Sequence, residues 1–522
     1  MPTTHKIMNH GVRSIAAIVI ALAGLAGART TSAEIKLPNL LSDHAVLQRG
    51  VPIHVWGWAA PDAKLSIRFH EQMLHATAND LGAWSAWLMP ERAGGPYTLT
   101  IDGGSVEGEK QITDVMVGDV WIASGQSNMQ IPLRGFPPTA FIKNGVQEIA
   151  SANNPMLRLM LVGQQSSDIP LQDVKGEWTL CTPETASEFS AVAYFFGREI
   201  AAKEHVAIGL IDSTWGGTPI SSWVSMDSLG NNAALLSAFS NRARFADQQT
   251  DLSAQIAAEK AADAAASAAG KPKPVYPWHP DEVSWLPAGL YNGMIAPLTP
   301  ETIKGFLWYQ GETDSSHERA PHYSTLFPAL IQDWRTHFQQ GNLPFLYVQI
   351  SSFHSPQEEW GVIRDAQRRT LFVANTAMTV SLDVGNPENV HPADKQTVGH
   401  RLALTALGLV YGDHIEYASP QFREATTEPG ALRLWFDNAS GLNSNGKALE
   451  DFELAGSDHR FVPATARIEG NTIIVSTPSL ADPLYVRYGW SNVVTSWFYN
   501  SAGLPGSTFT SEEVPSTDES VR

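Results

Sequence analysis

Apolar and polar side chains alternate with a period of two through the first part of the chain. Val51–Trp58, Lys64–Phe69 and Tyr97–Asp102 each place apolar residues on one face, as half-buried strands do. Ala60-Pro61-Asp62 and Gly94-Gly95-Pro96 punctuate them, so residues 34–112 are expected to form a sandwich-like N-terminal β module. From 113 to 410 the rhythm changes. Short apolar runs (Val115–Ile122, Met156–Val162, Val206–Ile211, Ile303–Tyr309, Leu343–Ile350 and Ala377–Val384) alternate with helical patterns at Ser190–Glu204, His322–Phe338 and Trp360–Val373. That alternation predicts βαβ units, hence an α/β domain built on a parallel sheet with helices on both faces.

Residues 225 to about 282 interrupt this rhythm. The alanine-rich stretch Ser253–Ala269 is a strong helix former that ends at Gly270-Lys-Pro-Lys-Pro274, which predicts a helical insertion in the form of a surface hairpin. The β pattern returns at 411–509, with Ala431–Phe436, Thr472–Ser476 and Leu484–Tyr488 as strands of a C-terminal β module. The segment 510–522 carries Glu512, Glu513, Asp518 and Glu519 and reads as a disordered acidic tail.

With 522 residues, 43% apolar content and 16 tryptophans, the chain supports several packed cores. A net charge of −18 argues against nucleic acid or an anionic membrane as partners, since like charges repel. Lys6 and Arg13 precede the apolar run Ile15–Gly27 and the small-residue site Thr31-Ser32-Ala33. Residues 1–33 therefore read as a secretory signal peptide, with an uncleaved anchor as the alternative, and place the mature chain in the periplasm or outside the cell. The run is short for a membrane span. One cysteine, Cys181, excludes an internal disulfide and reads as buried filler.

Candidate chemistry gathers in loops that follow strand runs. Val120–Ala123 stops at Ser124-Gly-Gln-Ser127-Asn-Met129, which presents the Ser127 hydroxyl where open α/β sheets display reactive groups. Met129 occupies the place of the second glycine of a Gly-x-Ser-x-Gly elbow, which disfavours an α/β-hydrolase. After Val206–Ile211, the turn Trp215-Gly216-Gly217-Thr218 lets a backbone N–H approach a ligand. After Ile303–Tyr309, the Gln310 amide can donate to a developing oxyanion or brace its loop. The loop Gly385–Pro392 holds His391, with Glu388 three residues before it and an amphipathic helix (Val398, Leu402, Ala406, Leu409) behind. His391 is thus a candidate general base at a helix entrance.

Assembled in order, four stretches resemble the SGNH/GDSL hydrolase superfamily, and within it the sialate O-acetylesterase-like carbohydrate esterases. They are Gly118–Met129, Trp215–Thr218, Trp308–Glu312 and His391–Ala403, supported by Val46–Arg49 and Gly503–Pro505. The resemblance covers about Leu37 to Thr510. It implies a flavodoxin-like SGNH domain that removes acetyl groups from sugar hydroxyls, with neither metal nor organic cofactor. By position it implies Ser127 as nucleophile and His391 as base. The oxyanion hole would comprise the Ser127 and Gly217 N–H groups with the Gln310 side chain, Gly216 being the fallback donor.

The family's usual aspartate two residues before the histidine is Asn389 here. Glu388 is the favoured third member. Asn389 as a neutral partner, or a Ser–His dyad held by a backbone carbonyl, are the alternatives. Two rival functions stand beside the acetylesterase: a non-catalytic glycan-binding protein on the same scaffold, and a serine hydrolase acting on other esters. The sugar, the hydroxyl and the oligomeric state stay open.

Overall fold

The computed structural model of the protein describes residues 34–231, 254–274, 276, 279 and 282–513. The expected signal peptide (1–33), part of the insertion (232–253) and the tail from 514 lie outside the described residues. Within the insertion, residues 254–268 form a helix, as the alanine content predicts.

One strand organises the molecule. Thirteen strands precede the C-terminal part: β1 (Val46–Gln48), β2 (Ile53–Trp58), β3 (Lys64–Phe69), β4 (Gln72–Thr77), β5 (Ala83–Leu88), β6 (Gly94–Asp102), β7 (Glu109–Gly125), β8 (Asn154–Leu161), β9 (Trp178–Cys181), β10 (Ala207–Thr214), β11 (Gly305–Tyr309), β12 (Phe345–Gln349) and β13 (Thr376–Val380). In its first half, β7 pairs antiparallel with β6, which continues to β3 and β4. Its second half is buried on both faces and pairs parallel with β10 and β11. The order β13-β12-β11-β7-β10-β8-β9 is parallel except for β8–β9. The sheet is therefore mixed rather than purely parallel. The expected 112/113 division falls inside β7, because this strand serves both the N-terminal ladder and the parallel core.

The topology puts a crevice where the site should be. β8 and β10 lie on one side of β7, and β11 to β13 on the other. In such sheets the strand order reverses at the central strand, and ligands bind beyond the carboxyl ends there. Helices α1 (Ser127–Gln130), α2 (Ala191–Glu204), α3 (Ala320–Phe338), α4 (Trp360–Arg369) and α5 (Lys395–Ala406) follow the strands. Ser190 caps α2 by accepting from Ala193 N–H. A Cβ on Gly399 would lie 2.6 Å from Phe195 Cβ and 2.9 Å from Val192 O, so glycine permits α5 to cross close over α2. That crossing returns the chain from edge strand β13 toward β7.

The core is aromatic: Trp223, Trp308 and Trp334 are fully buried, with Trp308 meeting the other two edge-on at 6.1 and 5.6 Å. Cys181 is buried, and burial pushes its thiol up to about 11, so it stays an unreactive thiol. The run Ala377–Val384 is a strand only to Val380. Ser381 Oγ then donates to Gln349 O at 2.6 Å, and Leu382–Val384 form a 3₁₀ turn.

The C-terminal strands β14 (Gln421–Glu428), β15 (Ala431–Asp437), β16 (Leu449–Ala455), β17 (Val462–Glu469), β18 (Thr472–Ser476), β19 (Tyr485–Tyr488) and β20 (Phe509–Thr510) form a separate antiparallel sheet in the order β14-β15-β18-β17-β16-β19-β20. Phe422 and Phe509, from its two edge strands, stack at 4.3 Å, so the sheet curls almost into a barrel. Thr510, the first residue of the expected tail, pairs with Arg487 in β20. The buried Arg364 guanidinium joins the two parts, donating to Ser351 O, Gly489 O and Ser491 O. Among the described residues, no helix is long and apolar enough to cross a membrane.

Candidate active site

Gly125 closes β7 with φ +129°, and a Cβ there would lie 2.2 Å from Tyr309 O. Only glycine fits this close approach of β7 to β11. The chain then turns at once into α1, so that Ser127 stands at the carboxyl end of the central strand. Gln126 fixes the turn: its Oε1 accepts from Gly311 N–H at 3.4 Å and from Thr313 N–H at 3.1 Å.

Ser127 Oγ lies 2.9 Å from His391 Nε2, although 264 positions separate the two in sequence. His391 sits four residues ahead of α5, whose N-cap is Asp394, so it lies on the incoming loop and not in the helix's first turn. Burial, followed by the charge on Lys395, pulls the imidazole down to about 4. His391 is therefore neutral through the physiological range, as a proton acceptor must be.

The favoured acid is elsewhere. Glu388 is exposed, and among the described residues its carboxylate has no hydrogen-bond or ion-pair partner; only its N–H is engaged, by Asn386 Oδ1. Asn389 does not reach the ring either. Its Oδ1 accepts from His391 N–H at 2.9 Å and its Nδ2 donates to Thr139 O at 2.8 Å. The first is a short-range turn contact that fixes the backbone, and the second ties this loop to the one that holds Thr139. Among the described residues His391 Nδ1 neither accepts a hydrogen bond nor donates one, to a carbonyl or to any other group. The structure thus brings together a Ser–His pair and leaves out the expected third member.

The donors also separate. Ser127 N–H and Gly217 N–H have no partner among the described residues, whereas Gly216 N–H is taken by Gln130 Oε1 at 2.7 Å. Gly216 packs on Ser127: a Cβ there would sit 3.2 Å from Ser127 Cβ. Gly217 has φ +71°, and its carbonyl accepts from Trp285 Nε1 at 2.7 Å. Gln310 is fully buried, with Nε2 donating to Thr218 O at 3.2 Å and Asp314 Oδ2 at 2.5 Å, and Oε1 accepting from Tyr323 OH at 3.0 Å. Its amide hydrogens are committed to the loop. The expected oxyanion donor is, in this arrangement, a brace between the β10 and β11 loops.

Asn128, Glu312 and Lys395 lie within the sequence motifs, where nothing in residue type or spacing assigns them a role. All three are buried beneath the Ser–His pair. Lys395 Nζ donates to Asn128 Oδ1 at 2.5 Å, and Asn128 Nδ2 donates to Glu312 Oε1 at 2.5 Å and to Val390 O at 3.0 Å. Burial pulls Lys395 down to about 7 and raises Glu312. A lysine opening a helix ordinarily reads as surface charge, so only its place beside the histidine motif could have flagged it. Among the described residues, no cluster of His, Cys, Asp or Glu could hold a metal ion.

The family described as carbohydrate esterase, sialic acid-specific acetylesterase matches residues 276–407. Human sialate O-acetylesterase is 27% identical over 514 residues, covering 87% of this chain and 88% of that protein. The mouse protein of the same name is 26% identical, covering 92% and 95%. A solved carbohydrate acetylesterase from Xanthomonas citri is 37% identical with a TM-score of 0.78, covering 92% of this chain and 99% of that one. A mixed α/β core of this shape, so related over almost its whole length, defines an esterase. Within that class the chain belongs to the sialate O-acetylesterase-like carbohydrate esterases.

Proposed function

We propose that the chain is an exported carbohydrate O-acetylesterase working through an acetyl-Ser127 intermediate on an SGNH-type, flavodoxin-like domain. The observation that carries this reading is the 2.9 Å approach of Ser127 Oγ to His391 Nε2 at the carboxyl end of the central strand. Export rests on the N-terminal pattern of Lys6, Arg13 and Ile15–Gly27.

The steps follow from the geometry. Ser127 Oγ attacks the acetyl carbonyl carbon while its proton passes to His391 Nε2. Negative charge gathers on the former carbonyl oxygen, where the open Ser127 and Gly217 N–H groups stabilise it. Collapse breaks the bond to the sugar oxygen, which leaves with the proton from His391. Water then attacks the acetyl-serine and gives a proton to His391. The second collapse returns that proton to Ser127 Oγ and releases acetate. With no carboxylate at Nδ1, His391 carries its transient charge without a paired anion and against the nearby Lys395 charge.

The names of the similar proteins support an acetylated sugar as substrate, with sialic acid and plant polysaccharides as the two classes to compare. The test is mass-spectrometric detection of acetate loss across a panel of acetylated glycans, run with the wild-type chain and Ser127→Ala. Acetate loss abolished by the substitution is expected. Acetate loss that persists in the variant, or turnover of longer acyl esters only, would overturn the reading.

A further inference from the structure

Asn128 follows the nucleophile in sequence, and Val390 precedes the base. The Asn128 side chain joins these two neighbours directly, through Nδ2–H to Val390 O at 3.0 Å. The same side chain is gripped from both ends, by Lys395 Nζ on its oxygen and by Glu312 Oε1 on its nitrogen. All three residues are buried. We propose that Asn128, oriented by Lys395 and Glu312, is the positioning residue that sets the Ser127–His391 geometry in place of a third catalytic member. This inference rests on the Ser–His reading above.

An amide between two carbonyl-like acceptors could settle in either of two flips. Here the ends differ. Turned over, its NH₂ would face the Lys395 ammonium and its oxygen would face both Glu312 and Val390 O, so every contact would become repulsive. The cation and the carboxylate therefore select one orientation, and that orientation is the one that donates to Val390 O. The imidazole has no hydrogen bond at Nδ1, so its place must come from its backbone. Two contacts supply that: Asn128 on Val390 O, and Asn389 Oδ1 on His391 N–H. Lys395 also lies over the Tyr309 ring at 5.5 Å, which holds its ammonium against the end of β11.

The experiment compares Asn128→Ala, Asn128→Asp, Lys395→Met and the Asn128→Ala/Lys395→Met double variant. Each is assayed for kcat and KM on p-nitrophenyl acetate, for the rate of Ser127 labelling by a fluorophosphonate, and for Tm. Concentrations are set by titrated active sites. Displacing the pair from its attack geometry should lower kcat by about 10²-fold with KM changed little. Labelling should slow in parallel, because it uses the same hydroxyl and base.

Asn128→Asp keeps the acceptor for Lys395 but turns an acceptor toward Val390 O and Glu312, and a proton shared between the two carboxyl groups relieves only the second contact. It should stay folded and lose as much kcat as Asn128→Ala. At a pH well above the His391 range the double variant should lose little more kcat than Asn128→Ala alone, since Lys395 reaches the loop backbone through Asn128 and otherwise adds only its charge near the ring. A fall in Tm with kcat per titrated site unchanged, or multiplicative losses in the double variant, would overturn the proposal. Ser127→Ala separates the two readings. If it remains active, the Ser–His mechanism has failed. If it is inactive while the Asn128 variants keep wild-type kcat, the positioning role alone has failed.

Discussion

Replacing Gln310 by alanine distinguishes a brace from an oxyanion donor, and the structure gives the size of each outcome. The substitution removes three contacts: Nε2–H to Thr218 O, Nε2–H to Asp314 Oδ2, and Tyr323 O–H to Oε1. Tyr323 keeps an acceptor in Gln310 O at 3.2 Å, and Asp314 keeps the Ile220 N–H at 2.8 Å. Two buried acceptors thus each lose a donor, at about 1–3 kcal/mol apiece. The vacated side-chain volume adds roughly 1 kcal/mol, at about 24 cal/mol per Å³ of cavity. The total, about 3–7 kcal/mol, should lower Tm by roughly 5–10 °C in a domain of this size.

Catalysis should follow a different course. If Gln310 only holds the Thr218 and Asp314 loops together, kcat of the folded variant should fall by no more than about 10-fold, against about 10²–10³-fold for a lost oxyanion donor. Calorimetry gives the first number. Michaelis–Menten kinetics well below the variant's midpoint, normalised to fluorophosphonate-titrated sites, give the second. A variant with wild-type Tm and kcat reduced about 10²-fold or more would refute the brace.

Ser127→Ala should leave Tm within about 2 °C and remove at least nine-tenths of acetyl-ester turnover, with losses reaching about 10⁶-fold for a nucleophile of this kind. Glu388→Gln should change kcat/KM less than about 3-fold, because the carboxylate is exposed and unpaired; a loss of about 10⁴-fold would restore it as a triad acid. Because His391 is held near 4, the acid limb of kcat/KM should fall near pH 4 instead of the about 6.5 of free histidine. In the same window the unfolded chain binds more protons at this residue than the folded one. Its contribution to stability should therefore rise with pH from about 4 to about 6.5 and be lost as pH falls back. The kinetic pH profile of the wild type measures the first effect, and melting profiles of wild type and His391→Asn against pH measure the second.

Much of the fold was legible because period-two and period-3.6 patterns mark elements with one face to solvent, while unbroken apolar runs mark strands buried on both faces, as β10 and β11 are. Ser190–Glu204 and His322–Phe338 lie within a residue or two of α2 and α3, and the runs before Ser127, Trp215 and Gln310 are β7, β10 and β11. The reading was less sharp where tertiary contacts decide. Ala377–Val384 carries β-branched and apolar residues to its end, yet the strand stops where the Ser381 hydroxyl binds Gln349 O. The long span of β7 was hidden for a related reason. Its polar first half and buried second half obey different patterns, although one hydrogen-bonded strand runs through both.

At the site, sequence order separated what could be read from what could not. Ser127 and His391 announce themselves by residue type in loops after strands, and their pairing needs only that both loops reach the same sheet edge. The third member was placed by spacing alone, and spacing fails on a loop: Glu388 points to solvent while Asn389 turns back onto the His391 N–H. The groups that hold the pair have the opposite character. An asparagine after a serine, a glutamate after a glycine and a lysine at a helix start are unremarkable singly. They acquire a function only because β7, β11 and α5 converge and bury them together. A buried ammonium and carboxylate are costly to retain unless their hydrogen bonds fix something. Here what they fix is one amide, and through it the two loops that carry Ser127 and His391.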